Sequence, residues 1–192
     1  MLSDLRIVAS LLTPLLLGLL FHGLCMKFRW LSRLAIPIDQ GRTLRGHRLF
    51  GANKTYRGIV AVGFGTALGF GLRSYAWSHI GSALEPQWLS SPGIAPFGFG
   101  FLVGAAAMMA ELPNSFVKRQ LDIEAGQAGR GVLGVVFYFV DQVDMLLGVW
   151  LVWALAIVVT PSLVAWSVVF LFVAHQLFTI AGHRLGMRST WR

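Results

Sequence analysis

Charged residues fall in a few short segments of this chain and leave long apolar blocks between them. Residues 7–26, IVASLLTPLLLGLLFHGLCM, carry no charged side chain and a single histidine. At about 1.5 Å per residue such a stretch crosses roughly the 30 Å of bilayer hydrocarbon. Five spans account for the pattern, at about 6–26, 58–80, 94–113, 143–160 and 162–182. The last two are divided at Pro161, because proline removes an intrahelical hydrogen bond and clashes with the preceding turn. Between residues 131 and 183 the only charged side chains, histidines aside, are Asp141 and Asp144. The pattern predicts an all-α integral membrane protein of about five transmembrane helices with cytoplasmic polar loops, built as a single membrane-embedded domain over 1–192. The first span is expected to be retained rather than cleaved. One acid and one base precede it instead of a basic cluster, and no small-x-small site closes it.

Composition agrees. Hydrophobic residues make up 56% of the 192 and charged residues 12%, about half the usual soluble share. The formal net charge of +8 suggests nucleic acid only if a nucleic-acid fold carries it, and none is evident. Spread over membrane loops, the excess instead sets orientation. Of the 16 Lys and Arg residues, all but Arg6 and Arg73 lie in 27–57, in 114–140 or after 183. An odd number of spans puts these three segments in the cytoplasm, as the positive-inside rule asks. The connector at about 81–93 holds Glu85 and no base. This is the pattern of a multi-pass cell-membrane protein. Cys25 is the only cysteine, which excludes an intramolecular disulfide and a thiolate metal cluster. Gly65 and Gly69, and Gly100 and Gly104, have the spacing that lets membrane helices approach closely. A homodimer through the Gly65/Gly69 face is left open.

Three polar islands need more than topology to explain them. Residues 37–58, PIDQGRTLRGHRLFGANKTYRG, interleave glycines 41, 46, 51 and 58 with Arg42, Arg45, Arg48, Lys54 and Arg57. Glycine lets backbone N–H groups turn into a concave nest suited to phosphate oxygens, while arginine adds a fork of donors. Lys54 follows Asn53 rather than glycine, so GxxxxGK[ST] is absent and a P-loop is not supported. A basic loop resting on lipid headgroups is the plainer alternative to a phosphate site.

The second island, ELPNSFVKRQLD at 111–122, puts Glu111 at the end of an uncharged run, with Ser115, Lys118 and Arg119 behind it. A carboxylate at that depth is costly unless paired or bound to a cation. A salt bridge from Glu111 to Lys118 or Arg119 is one reading. The third island, FVDQVDMLLG at 139–148, sets Asp141 and Asp144 three apart on one helical face. Two buried like charges repel, and a divalent cation between them removes the conflict. Magnesium suits such a site, since it takes one or two carboxylates and completes its shell with water and substrate phosphates. Zinc lacks a clustered His or Cys set. A helix cap is the bland reading of the pair. Together the islands fit phosphoryl or nucleotidyl transfer to or from a lipid.

In order and in register, these strings resemble the CDP-archaeol synthase family, within the wider group of CTP-dependent phosphatidate cytidylyltransferases. The likeness covers nearly the whole chain. Its Pro-x-Asp-x-Gly start falls on Pro37, Asp39 and Gly41, and its Asn-Lys-Thr-x-Arg-Gly element on Asn53, Lys54, Thr55, Arg57 and Gly58. Its Ser-Phe-x-Lys-Arg element falls on Ser115, Phe116, Lys118 and Arg119, and its Asp-Gln-x-Asp element on Asp141, Gln142 and Asp144. Two positions depart from the family pattern. Ala110-Glu111 stands where Gly-Asp is expected, and Thr179 stands where Asn follows a histidine, here His175.

The resemblance implies a five-span enzyme with a cytoplasmic active site. It would use CTP and Mg2+ to turn a membrane lipid phosphate, archaeol-phosphate-like or phosphatidate-like, into its CDP-activated form with release of pyrophosphate. Catalysis would rest on Asp141, Asp144 and Lys118. Magnesium would be held by Asp141 and Asp144, with Glu111 and Asp39 beside them. Phosphates would be taken by Arg42, Arg45, Asn53, Lys54, Thr55, Arg57, Ser115 and Arg119. The alternative is a non-catalytic polar-lipid-binding or transport membrane protein, which leaves the paired aspartates without a task.

Overall fold

The computed structural model describes residues 2–77, 86–127 and 129–184, and within them not the side chains of 2, 77, 142, 178, 179 and 181–184. Gln142, Thr179, Glu85 and the tail bases Arg184, Arg188 and Arg192 therefore lie outside the described side chains. Five long helices run in the order α1 (Leu2–Lys27), α2 (Tyr56–Trp77), α4 (Ile94–Gln120), α5 (Gly131–Trp153) and α6 (Pro161–Arg184), with a short α3 (Gln87–Ser90) before α4. Apart from one small hairpin, β1 (Thr43–Leu44) with β2 (His47–Arg48), the described residues are helix and turn.

Four helices, Ser3–Lys27, Tyr56–Ala76, Ile94–Gln120 and Gly131–Trp153, are long and apolar enough to cross a bilayer. The described apolar stretch of α6, Pro161–Leu177, is shorter. The chain is thus an all-α integral membrane protein with four clear spanning helices among the described residues, and the fifth expected span falls on α6. Its core joins every long helix through Leu11 and Leu15 of α1, Val62 and Phe70 of α2, Val103 of α4, Trp153 of α5 and Leu163 of α6. Outward, Leu72, Leu151, Val132 and Leu155 are largely exposed. An apolar exterior around an apolar core is what lipid solvates and water does not.

Glycine and proline set how closely the helices approach. A Cβ on Gly65 would fall 2.8 Å from the Gly18 Cα, and one on Gly69 would fall 2.7 Å from the Pro14 Cα. Gly100 meets Ala67 at 2.8 Å in the same sense. The Gly65/Gly69 face is therefore filled by α1 of the same chain and is not free to build a dimer. Small residues do promote close packing here, but within the protomer.

Two boundaries differ from expectation. The fourth helix begins at Gly131, not near 143, so Asp141 and Asp144 lie in its interior. Carboxylates there are tolerated because they turn toward polar groups on α4 rather than toward lipid. The helix also ends at Trp153 rather than near 160, while Pro161 opens α6 and so divides the last two helices as expected. Proline at a first helical position loses no bond, and the Thr160 hydroxyl accepts from the Leu163 N–H at 3.3 Å as the cap.

The polar segments 28–55 and 121–130 meet at one end of the bundle. His47 Nδ1 meets Asp122 at 2.8 Å, and Gln120 Nε2, at the end of α4, donates to the Arg48 carbonyl at 3.4 Å. Pairing of Pro37 with Thr55 closes the base of the first segment, with the Ile38 N–H donating to the Lys54 carbonyl at 2.8 Å. At its tip, Arg45 and Gly46 have φ of 54° and 87°, the paired positive values of a tight type I′ hairpin turn.

Candidate active site

Asp39 organises the first polar segment. It is 2% exposed and accepts from the backbone N–H groups of Gly41 at 3.0 Å, Phe50 at 3.2 Å and Gly51 at 2.9 Å, and from the Arg48 guanidinium. Burial alone raises its pKa, but the Arg48 and backbone donors outweigh burial and bring it down to about 2. The glycine-shaped nest expected for a phosphate is thus turned inward onto the protein's own carboxylate. With its oxygens so engaged, Asp39 holds the loop and does not join the other acids.

Those acids converge elsewhere, between α4 and α5. Lys118 Nζ donates to both oxygens of Asp141, at 2.6 and 2.5 Å, and lies 5.3 Å from the centre of the Phe137 ring. Asn114 Nδ2 donates to Asp141 Oδ1 and to Asp144 Oδ2, each at 2.7 Å. Asp144 is buried and also accepts from the Met145 N–H at 2.8 Å. Glu111 stands close enough for its charge to act on Asp144. It forms an ion pair with Lys54, reaching down from the first polar segment, and not with Lys118 or Arg119. Three carboxylates (Glu111, Asp141, Asp144) face two ammonium groups (Lys54, Lys118), so 3 − 2 leaves one formal negative charge.

Asn114 is the member of this cluster that the sequence motifs do not point to. It lies three residues after Glu111 and four before Lys118, a spacing that puts all three on one helical face. Its Oδ1 is buried without a partner among the described residues.

The basic residues divide. Arg42, beside the hairpin, and Arg45, at its tip, are exposed, and among the described residues neither pairs with a carboxylate; Asn53 is exposed as well. Thr55 caps α2, its hydroxyl 3.4 Å from the Gly58 N–H, and Ser115 is buried on α4. Arg119 donates to the Ile123 carbonyl and keeps a buried, unpartnered Nε. It lines a cleft of about 410 Å³ together with His47, Arg48, Gly51, Asp122 and Glu124. The charge of Asp141 acts on Arg119, and Lys118, next to Arg119 on α4, holds Asp141.

Among the described residues no group of three or more His, Cys, Asp or Glu side chains forms a ready-made metal site. The donor set nonetheless fits magnesium. One amide nitrogen touches oxygens of Asp141 and Asp144 at once, so those oxygens lie within the span of two hydrogen bonds. Magnesium takes one or two carboxylates and completes its shell with water and phosphate rather than with an all-protein cage, which is what this pair can offer.

A solved structure described as an intramembrane enzyme for archaeal membrane lipids biosynthesis shares the fold, with a TM-score of 0.64 over 90% of this chain and 92% of that one, at 22% identity. The CDP-archaeol synthase of Methanoculleus marisnigri is 30% identical over 80% of this chain and 87% of its own length. That of Halorubrum lacusprofundi is 33% identical over 80% of this chain and 82% of its own. The CarS-like CDP-archaeol synthase family model matches residues 23–192, and the chain belongs to that family.

Proposed function

We propose that this chain is a membrane-embedded, CTP-dependent cytidylyltransferase that converts a lipid phosphate of the archaeol-phosphate type into its CDP-activated form. The observation that carries the reading is the junction of Asp141, Asp144, Asn114 and Lys118 with the Glu111–Lys54 pair. Residues from three separate sequence elements meet there, at the polar end of an apolar bundle. Choice of CTP rests on family membership. Magnesium, the cytoplasmic orientation, α6 as a fifth span and a single membrane-embedded unit over 1–192 belong to the same proposal. The positive-inside distribution of bases supports the orientation.

In the reaction a lipid phosphate oxygen attacks the α-phosphorus of CTP. One P–O bond forms there, the bond between the α-phosphorus and its bridging oxygen breaks, and pyrophosphate leaves with that electron pair. The lipid supplies the nucleophile, so the protein needs no covalent intermediate; its task is alignment and charge neutralisation. Asp141 and Asp144 would hold magnesium, which neutralises charge on the CTP phosphates and orients them. Lys118 is kept beside Asp141 and provides a cation for a phosphate oxygen. The cleft at Arg119 and Arg48 receives the nucleotide, with Arg119 turned toward its phosphates. Lys54 stays neutralised by Glu111 until a phosphate competes for it.

Purified protein in lipid–detergent micelles tests the reading. Pyrophosphate release from CTP should require both a lipid phosphate and magnesium. Archaeol phosphate and phosphatidate offered side by side report the tail preference. Release that does not depend on lipid phosphate, or no release at all, returns the chain to non-catalytic lipid binding.

A further inference from the structure

The cations at the polar end of the bundle are spoken for unequally. Lys54 is paired with Glu111, Lys118 with Asp141 and Arg48 with Asp39. Arg119 has a carbonyl and faces the cleft. Arg57, in the first turn of α2, is half-buried. Its Nε is enclosed, and among the described residues no acceptor meets the guanidinium. A cation in that setting costs free energy unless an anion completes it.

Arg57 is not among the residues that line the cleft, and Gly58 beside it packs against His22 of α1. The charges that act on the His22 ring are those of Arg57 and Lys54, and Arg57 also acts on the buried Cys25. The imidazole lies against the backbone at Gly58, where a Cβ would come within 3.7 Å of His22 Nε2. His22 stands outside the stretch matched by the family model, which begins at residue 23.

The surroundings are those of a lipid. Phe21, next to His22, contacts the rings of Trp30 at 6.4 Å and Phe64 at 5.9 Å. Trp30, Phe64 and Phe28 are about half exposed; the amphipathic ring of Trp30 favours the headgroup layer, and the two phenyl rings suit acyl or isoprenoid chains.

We infer that His22 and Arg57 form the subsite for the phosphate of the lipid substrate, on the α1 side of the carboxylates and apart from the nucleotide cleft. This rests on the transferase reading above. Arg57 supplies the fixed charge and His22 an N–H donor, while Lys54 links the subsite to Glu111 and so to Asp144. The lipid phosphate and the nucleotide then reach the carboxylates by separate routes. The phosphate monoester is the recognised chemistry, and the aromatic rim selects its lipid form.

The test compares wild type with His22→Ala, His22→Gln and Arg57→Gln in mixed micelles, varying lipid phosphate and CTP separately. The KM for lipid phosphate should rise about tenfold in His22→Ala, the worth of one hydrogen bond to a charged group, with the KM for CTP unchanged. His22→Gln, which keeps a donor, should recover part of the loss. Water-soluble glycerol phosphate should compete with the lipid and not with CTP, more weakly in His22→Ala. A rise in the CTP KM instead, or no change in the lipid KM of either His22 variant, overturns the assignment. A wild type inactive with every lipid phosphate instead removes the transferase reading itself.

Discussion

Gly148 on α5 packs against the backbone carbonyl of Ala106 on α4 so closely that a Cβ on the glycine would overlap it. The atom met is backbone, so no rotamer change relieves the overlap. About two turns nearer the polar end, the same pair of helices brings Asn114 against Asp141 and Asp144. Gly148→Ala should therefore destabilise the fold by about 1–3 kcal/mol, the usual cost of overpacking. It should also lower activity by moving the carboxylates from Asn114. A thermal unfolding midpoint equal to that of wild type would show that the helices part without cost.

Asp39 gives a pH prediction. Its folded pKa, about 2, lies below the unfolded value near 3.9. The stabilisation it provides is therefore fully present above about pH 4 and is lost as pH falls toward the folded value. Carbon-13 titration of the side-chain carboxyls, with Asp39→Asn for assignment, should show one aspartate still ionised at pH 3. A midpoint near 4 for that carboxyl would mean that the Arg48 and backbone donors do not hold it.

Much of this was legible in the sequence, for definite reasons. Uncharged runs of spanning length marked α1 and α4, and α2 reads as a span although it carries Arg73, because lipid requires long apolar stretches. The start of α5 was misplaced because Asp141 and Asp144 read as an interface, whereas Asn114 and Lys118 let a helix carry them inside the bundle. Asn114 has no motif. Only the shared face of Glu111, Asn114 and Lys118 pointed to it, and Pro113 within the helix obscured that face. The glycines of 37–58 correctly marked positive-φ turns at 41, 46 and 51. That those turns wrap Asp39, with Arg48 alongside, was beyond local reading because it depends on residues up to 12 positions apart.

The proposed orientation is checked by accessibility. On a Cys25→Ser background, Gln87→Cys lies at the end opposite the polar segments and should react with an impermeant maleimide in sealed cells. Thr43→Cys, exposed in the hairpin, should react only after permeabilisation. Labelling at 43 in sealed cells would invert the topology.

Asn114→Leu separates positioning from catalysis. Removing the amide leaves Asp141 and Asp144 facing each other with one donor fewer, so their repulsion has to be met by the cation alone. Groups that orient metal ligands typically contribute about 10–100-fold in metal affinity or activity. The magnesium concentration for half-maximal turnover should therefore rise by about that factor, with the KM for lipid phosphate unchanged, and Asn114→Gln should recover part of it. Uniform loss of turnover at every magnesium concentration would make Asn114 a packing residue.

The sharpest demand falls on the carboxylates. Asp144 is buried beside a second aspartate and within reach of the Glu111 charge, whereas Asp141 already has Lys118 on both oxygens. The lysine neutralises one member of the pair and leaves the other for a cation. Asp144→Asn removes the uncompensated charge without changing shape, and the chain should fold at least as well as wild type. Turnover should fall by more than ~10²-fold, as when one well-placed electrostatic stabiliser is lost. The magnesium requirement should move with it, since the same ion orients CTP and neutralises developing charge. Asp141→Asn should behave differently, because Lys118 then loses its partner within an apolar bundle. Its thermal midpoint should drop along with its turnover, and the paired change Asp141→Asn with Lys118→Met should restore the midpoint but not the activity. Near-full turnover in Asp144→Asn, with an unchanged magnesium requirement, would make the pair structural and move the search for the metal to Glu111.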